Sequence, residues 1–157
     1  MNSELKEYNR QLCAQYPWLL PRNRWTDKVV EDYDYSYTEL DDLPEGWRIA
    51  FGEEICKEIN DLLKKVNYEN EYRILQIKEK YGSLRWYDDG VPKEISKDLY
   101  SVIAKYERIS ARTCINCGAP ATKISTGYIL PFCEECAKKY KANYVDINEE
   151  LEEDENE

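Results

Sequence analysis

The 157-residue sequence predicts an α+β fold in which helices pack on a small antiparallel β-hairpin or sheet, with a four-cysteine module on the C-terminal side. Three observations predict it. Apolar residues recur at three- and four-residue steps in three separate segments, the period of helices with one buried face. Between the second and third of these segments, two strand-like runs flank Tyr81-Gly82-Ser83. Last, Cys114-Ile-Asn-Cys117 and Cys133-Glu-Glu-Cys136 form two C-x-x-C pairs with a fifteen-residue interval between them.

The first helix is expected to begin at a Ser3 cap and carry Leu5, Tyr8, Leu12 and Tyr16 on one stripe, ending at Pro17. Pro17-Trp-Leu-Leu-Pro21 reads as a short apolar connector packed on the core. Residues 22–45 read as irregular or short extended structure, ending in the turn cluster Asp41-Asp-Leu-Pro-Glu-Gly46. A second helix is expected from about Trp47 to Val66, with Phe51, Ile55, Ile59, Leu62, Leu63 and Val66 on its face. Tyr72 to Lys80 and Leu84 to Tyr87 form the hairpin. Pro92 opens a third helix with the stripe Ile95, Leu99, Val102, Ile103, Tyr106 and Ile109. The domain order follows: an α+β body over 1–112, a four-cysteine zinc finger over 113–144 packed on it, and a disordered acidic tail over 145–157.

The cysteine pattern carries the clearest chemistry. Two C-x-x-C knuckles brought together by a short hairpin supply four thiolates, a closed tetrahedral shell for one structural zinc ion (Zn2+) per chain, held by Cys114, Cys117, Cys133 and Cys136. Catalytic zinc keeps a position open for water, and the chain has no histidine with which to build a His-based site. Gly118 suits the turn after the first knuckle, Thr122 to Gly127 and Tyr128 to Leu130 read as two short strands, and Glu134 to Tyr144 as a helix. Knuckle, hairpin and helix in that order resemble a treble-clef or zinc-ribbon finger. Cys13 and Cys56 fall on apolar helical faces and are expected as buried free thiols.

The net charge of −10 is unevenly placed. Residues 146–157 hold eight acids and no base, and residues 31–45 hold seven acids and no base. The other 130 residues therefore carry seventeen acids against all twenty-two bases, a net charge of +5. The 31–45 segment interleaves its acids with Tyr33, Tyr35 and Tyr37, a composition suited to a partner-binding surface. No apolar run approaches the ~20 residues of a membrane span, and with no export signal the expected location is the cytoplasm of a bacterial host.

Lys78-Glu-Lys-Tyr-Gly-Ser-Leu-Arg-Trp-Tyr87 is the densest mixture of cations and aromatic rings. If its two strands present them on one face, Lys78, Lys80 and Arg85 can hold phosphates while Tyr81, Trp86 or Tyr87 stacks on a base. The competing reading is a wet hairpin face with Trp86 and Leu84 as core, and with Glu79 pairing with Arg85. This segment resembles the KEKFGxLRFY signature of small, mostly uncharacterised phage and prophage proteins. In that group a Gly-Trp pair precedes a helix, as Gly46-Trp47 does here, and a C-x-x-C-G knuckle follows, as Cys114 to Gly118 does. The resemblance spans roughly residues 16–140 and implies a phage-type origin without an established activity.

The expected function is that of a non-enzymatic, zinc-stabilised binding protein that counteracts a host defence by sequestering a nucleotide-type small molecule. One alternative is inhibition of a host protein through the Tyr-rich acidic segment. Another is nucleic-acid binding by the zinc module through Lys105, Arg108, Arg112, Lys123, Lys138, Lys139 and Lys141, which the adjoining acidic tail opposes. No Walker loop, dinucleotide fingerprint or nucleophile elbow points to an enzyme.

Overall fold

Helix α1 (Ser3–Gln15) opens the chain in the computed structural model, which describes residues 3–140 and 143–147. Ser3 is already within this helix rather than capping it. Its buried face is Asn9, Leu12 and Cys13, while Leu5 and Tyr8 are exposed. The face is turned relative to the predicted stripe because the buried Asn9 amide donates to the Tyr35 carbonyl (2.8 Å), tying α1 to the following loop. A 3-10 turn at Pro17–Leu19 then drops Trp18 and Leu19 into the core. A second 3-10 turn, Glu39–Asp42, is closed by a Thr38/Asp41 capping box.

The second predicted helix is three pieces in one line: α2 (Glu45–Trp47), a π-turn (Arg48–Gly52) and α3 (Glu53–Lys65). Trp47, Phe51, Ile55, Ile59 and Leu63 are all buried. They recur every four residues, a longer period than the 3.6 of an α-helix, so the stripe would drift around a regular helix. The wider π-turn takes up part of that drift and keeps Trp47 on the core side.

Strands β1 (Ile74–Lys80) and β2 (Ser83–Asp88) pair antiparallel. Their inner face, with Ile77, Leu84 and Trp86, is buried. Helix α4 (Lys93–Ala111) packs against β2 and α3, and Ser110 Oγ accepts from the Leu84 amide (2.8 Å). The buried indoles are satisfied: Trp18 Nε1 donates to Asn60 Oδ1 (3.0 Å) and Trp86 Nε1 to the Tyr72 hydroxyl oxygen (3.1 Å). Trp18 meets both Tyr72 and Trp86 edge-on. Cys13 and Cys56 are buried free thiols as expected, and burial pushes both thiols up.

The C-terminal part carries a second sheet of order β4-β3-β5, from β3 (Lys123–Ser125), β4 (Pro131–Phe132) and β5 (Tyr144–Asp146). Helix α5 (Glu134–Lys139) lies between β4 and β5 in sequence. Three expectations are corrected here. Tyr128 to Leu130 is loop, and the second strand comes later, at Pro131–Phe132. Helix α5 stops at Lys139, so Tyr144 is a strand residue. The stretch expected as tail from 145 instead begins in β5, paired with Lys123 and Ile124, and Ile147 is buried. The chain gains backbone pairing there, which the acidic composition did not advertise. The rest of the predicted tail, 148–157, lies outside the described residues. Among the described residues no helix is long and apolar enough to cross a membrane.

Glu58 joins α3 to α4. Its carboxylate accepts from Lys105 Nζ (2.6 and 2.8 Å) and from the Tyr106 hydroxyl. Burial would raise this carboxyl, but the bonds from Lys105 and Tyr106 outweigh it and hold the group below the usual glutamate range. A depressed carboxyl adds stability above its unfolded pKa and loses it as pH falls through the folded value. Glu58→Gln should therefore lower stability near neutrality by about 0.5–1 kcal/mol, the scale of a part-exposed pair. The deficit should shrink in acid, which urea denaturation at pH 7 and pH 3.5 will measure.

Candidate metal centre and hairpin face

Each knuckle is shaped by its backbone. At the first, the Cys114 amide donates to the Ala119 carbonyl (2.7 Å) and the Gly118 amide to the Cys114 carbonyl (3.0 Å). Gly118 sits at φ +86°, the left-handed region that glycine enters freely. At the second, β4 delivers the chain to Cys133, the N-cap of α5, whose Sγ accepts from the Cys136 amide (3.4 Å). The four sulfurs of Cys114, Cys117, Cys133 and Cys136 lie within 4.8 Å of one another, with Cys117 and Cys133 at 3.6 Å. A tetrahedral shell with bonds near 2.3 Å requires sulfurs about 3.8 Å apart, so these residues fit one metal ion. All four are free thiols, not disulfides.

Surrounding groups act on the thiols in both directions. Burial would raise the Cys114 thiol, but backbone hydrogen bonds from Cys133, Cys117 and Asn116 outweigh it and bring it to about 7. The Asn116 amide donates to Cys136 Sγ (3.3 Å) and favours its thiolate. Burial and the adjacent Cys133, Cys114 and Cys117 nevertheless push Cys136 up to about 12. Four thiols this close resist ionising together without a cation among them. Phe132 stacks on Tyr140 (4.9 Å) and with Ala137 makes a small apolar core beside the cluster.

The knuckle rests on the body through Gly46-Trp47. The Gly46 amide donates to the Ile115 carbonyl (2.9 Å), and Trp47 Nε1 donates to the Thr113 carbonyl (3.0 Å). A β-carbon on Gly46 would lie 2.3 Å from the Cys114 carbonyl oxygen, so only glycine allows this approach. The hairpin tip touches the same module from another side. Tyr81 (φ +54°) and Gly82 (φ +82°) form a two-residue turn with both central residues left-handed, the I′ geometry. Gly82 faces Ile129 of the β3–β4 loop, and Tyr128 of that loop donates its hydroxyl to Glu79 Oε1 (2.8 Å).

The register answers whether the hairpin cations share a face. Lys78 is opposite Arg85, Lys80 opposite Ser83 and Gln76 opposite Tyr87. Cross-strand partners point the same way, so Lys78, Lys80, Arg85 and Tyr87 occupy the outer face together. Lys78 Nζ lies 5.9 Å from the Tyr87 ring centroid and Lys80 Nζ 5.6 Å from that of Tyr81. Glu79 is opposite Leu84, not Arg85. Among the described residues none of the three cations has a carboxylate in ion-pair range; Arg85 donates to Ser83 Oγ (2.6 Å) and the Leu84 carbonyl. Trp86 is corrected: its ring is on the inner face, buried against Trp18, and is not available to stack on a ligand.

Tyr33, Tyr35 and Tyr37 form one cluster, with Tyr33 4.8 Å from Tyr35 and 5.5 Å from Tyr37. The Tyr33 hydroxyl donates to the Tyr37 carbonyl, Tyr35 is packed on the core under Arg10, and Tyr37 is the most exposed of them. Two surface rings escaped the sequence reading as site candidates. Tyr128 is 72% exposed beside Tyr81, and Trp25 is 96% exposed on a loop anchored by Arg73 to Asp27 (2.7 Å). Neither signals itself in sequence, since exposure of a lone aromatic residue is set by the fold. No family model, curated protein or solved structure matches this chain.

Gly46→Ala should lower unfolding free energy by about 3 kcal/mol, since neither backbone can yield. Gly52→Ala is the control, because its methyl would meet only the Arg48 and Leu40 side chains at 3.2 Å or more; it should stay within ~1 kcal/mol of the parent. Urea denaturation of both variants checks this.

Proposed function

We propose that the protein is a zinc-stabilised binding protein, not an enzyme, which captures a phosphate-bearing, nucleotide-type ligand on the outer face of its hairpin. The observation that carries this reading is the register: three cations and a tyrosine share one face, with no carboxylate partner among the described residues. Lysine and arginine bind phosphate by charge and hydrogen bonding, and a tyrosine ring offers a stacking plane. The hairpin and knuckle resemblance implies a phage-type origin, and a role against a host defence is the function we propose within that setting.

The other expected surfaces are less available. Around the zinc module, three of the seven cations are engaged: Lys105 is paired with Glu58 and Lys123 with Asp146, and Lys138 lies 4.0 Å from Glu134, while Lys141 lies outside the described residues. In the acidic segment, Asp34 pairs with Lys6 and Asp41 with Arg48, while Tyr33 packs against both Tyr35 and Tyr37 and donates to the Tyr37 carbonyl. These pairings favour the hairpin over nucleic-acid binding by the module or host-protein binding by the segment.

Zinc is the metal we assign to the cluster, because two C-x-x-C pairs forming an all-sulfur tetrahedron are its usual structural shell. Metal analysis of the purified chain should find about one zinc, and Cys133→Ser should lose it together with stability of the C-terminal third. A chain as stable after chelation as before would refute the assignment.

For the ligand, calorimetric titration of the zinc-loaded full chain at low salt should detect ATP. Arg85→Ala and Lys80→Ala should each weaken binding about tenfold, the effect of losing one charge-assisted contact, with melting unchanged. No heat with either ATP or inorganic triphosphate would refute the nucleotide reading.

A further inference from the structure

We infer that the cleft between the hairpin tip and the β3–β4 loop of the metal module receives the base of the nucleotide, with Tyr81 and Tyr128 as its walls. This rests on the nucleotide reading above and adds where the base goes. The cleft encloses about 340 Å3 and is lined by Tyr81, Tyr128, Ile129, Lys80 and Glu79 around Gly127. Both tyrosine rings are more than 70% exposed, although they flank one concave site. Rings left this open present π-faces to solvent, which a flat heterocycle can cover at little ordering cost.

The walls are held in place. Tyr81 sits at the fixed left-handed position of the turn, and the Tyr128 hydroxyl is tied to Glu79 Oε1, whose other oxygen accepts from the Gly82 amide (2.9 Å). Glu79 thus stands at the cleft as a fixed acceptor, suited to the exocyclic amine of a base. Lys80 belongs to both places: it lines the cleft, and it lies on the outer face with Lys78 and Arg85. A ligand that fills the cleft with its ring can therefore lay its phosphates on the unpaired cations. Other cavities lack this adjacency. One is lined by Asp41, Glu45 and Glu53, which repel phosphate, and its one cation, Arg48, is paired with Asp41. Another is lined by Arg22, Arg24 and Arg73, but these face three carboxylates, Asp27, Glu39 and Asp89, and Arg73 is bound to Asp27.

The arrangement also makes the base subsite a joint product of body and metal module, while the cationic face belongs to the body alone. The test separates the two halves. The zinc-loaded full chain is titrated with ATP and with inorganic triphosphate. ATP should bind about tenfold more tightly, the scale of one aromatic stack. Tyr128→Ala should bring ATP down to the triphosphate level without altering triphosphate. Tyr81→Asn should do the same, asparagine being chosen because it tolerates the left-handed turn. Tyr128→Phe keeps the ring and should keep most of the preference. Equal affinity of the parent for ATP and triphosphate, or a preference that survives Tyr128→Ala, would overturn the base subsite and leave the phosphate face standing. Absence of binding by both ligands would overturn both.

Discussion

The backbone contact between Gly46 and the first knuckle is the constraint on which the remainder of the structure turns. It brings the start of the central helix against the Cys114–Ile115 peptide at a distance that admits no side chain. Trp47, fully buried next to it, fixes the same junction by donating to the Thr113 carbonyl. The four clustered cysteines are thus not carried on a detached finger. Cys114 lies in the module's own small apolar core, the next residue, Ile115, packs on both that core and the body's, and the Ile115 carbonyl holds the Gly46 amide at the entry to α2. The Gly-Trp pair that the phage-protein resemblance singled out has this physical role here.

A second clasp, at the hairpin tip, divides the hairpin by face. The inner residues Ile77, Leu84 and Trp86 belong to the core, and the turn residues Tyr81 and Gly82 are shaped for I′ geometry and for contact with Ile129. What packing and turn geometry leave unexplained is the outer row of Lys78, Lys80, Arg85 and Tyr87. Solvation of a wet face accounts for lysines on a strand. It does not by itself account for three cations that have no acidic partner among the described residues in a chain whose net charge is −10.

The sequence made the metal cluster and the main elements legible because both signals are local. C-x-x-C spacing sets knuckle geometry within four residues, and the periods of α3, β1, β2 and α4 repeat over enough residues to be counted. Features decided by distant contacts were not legible. The α1 face follows Asn9 reaching Tyr35, and β5 forms because β3 offers a free edge to an acidic stretch that reads as solvated. Whether the hairpin cations share a face depended on a turn type that Tyr-Gly does not announce, since Asn-Gly is its usual form. Trp86 looked equally suited to stacking and to core; its register opposite Ile77 decided the matter.

The Gly46–Trp47 junction also sets an order of events during synthesis. The tryptophan and its carbonyl partner are 66 residues apart, so this seat of the central helix closes only after Thr113 has left the ribosome. Contacts this distant in sequence carry a loop-closure cost, so they form late relative to the local pairing of the hairpin. The junction that seats the central helix and the first pair of clustered cysteines are thus completed by the same late stretch of chain.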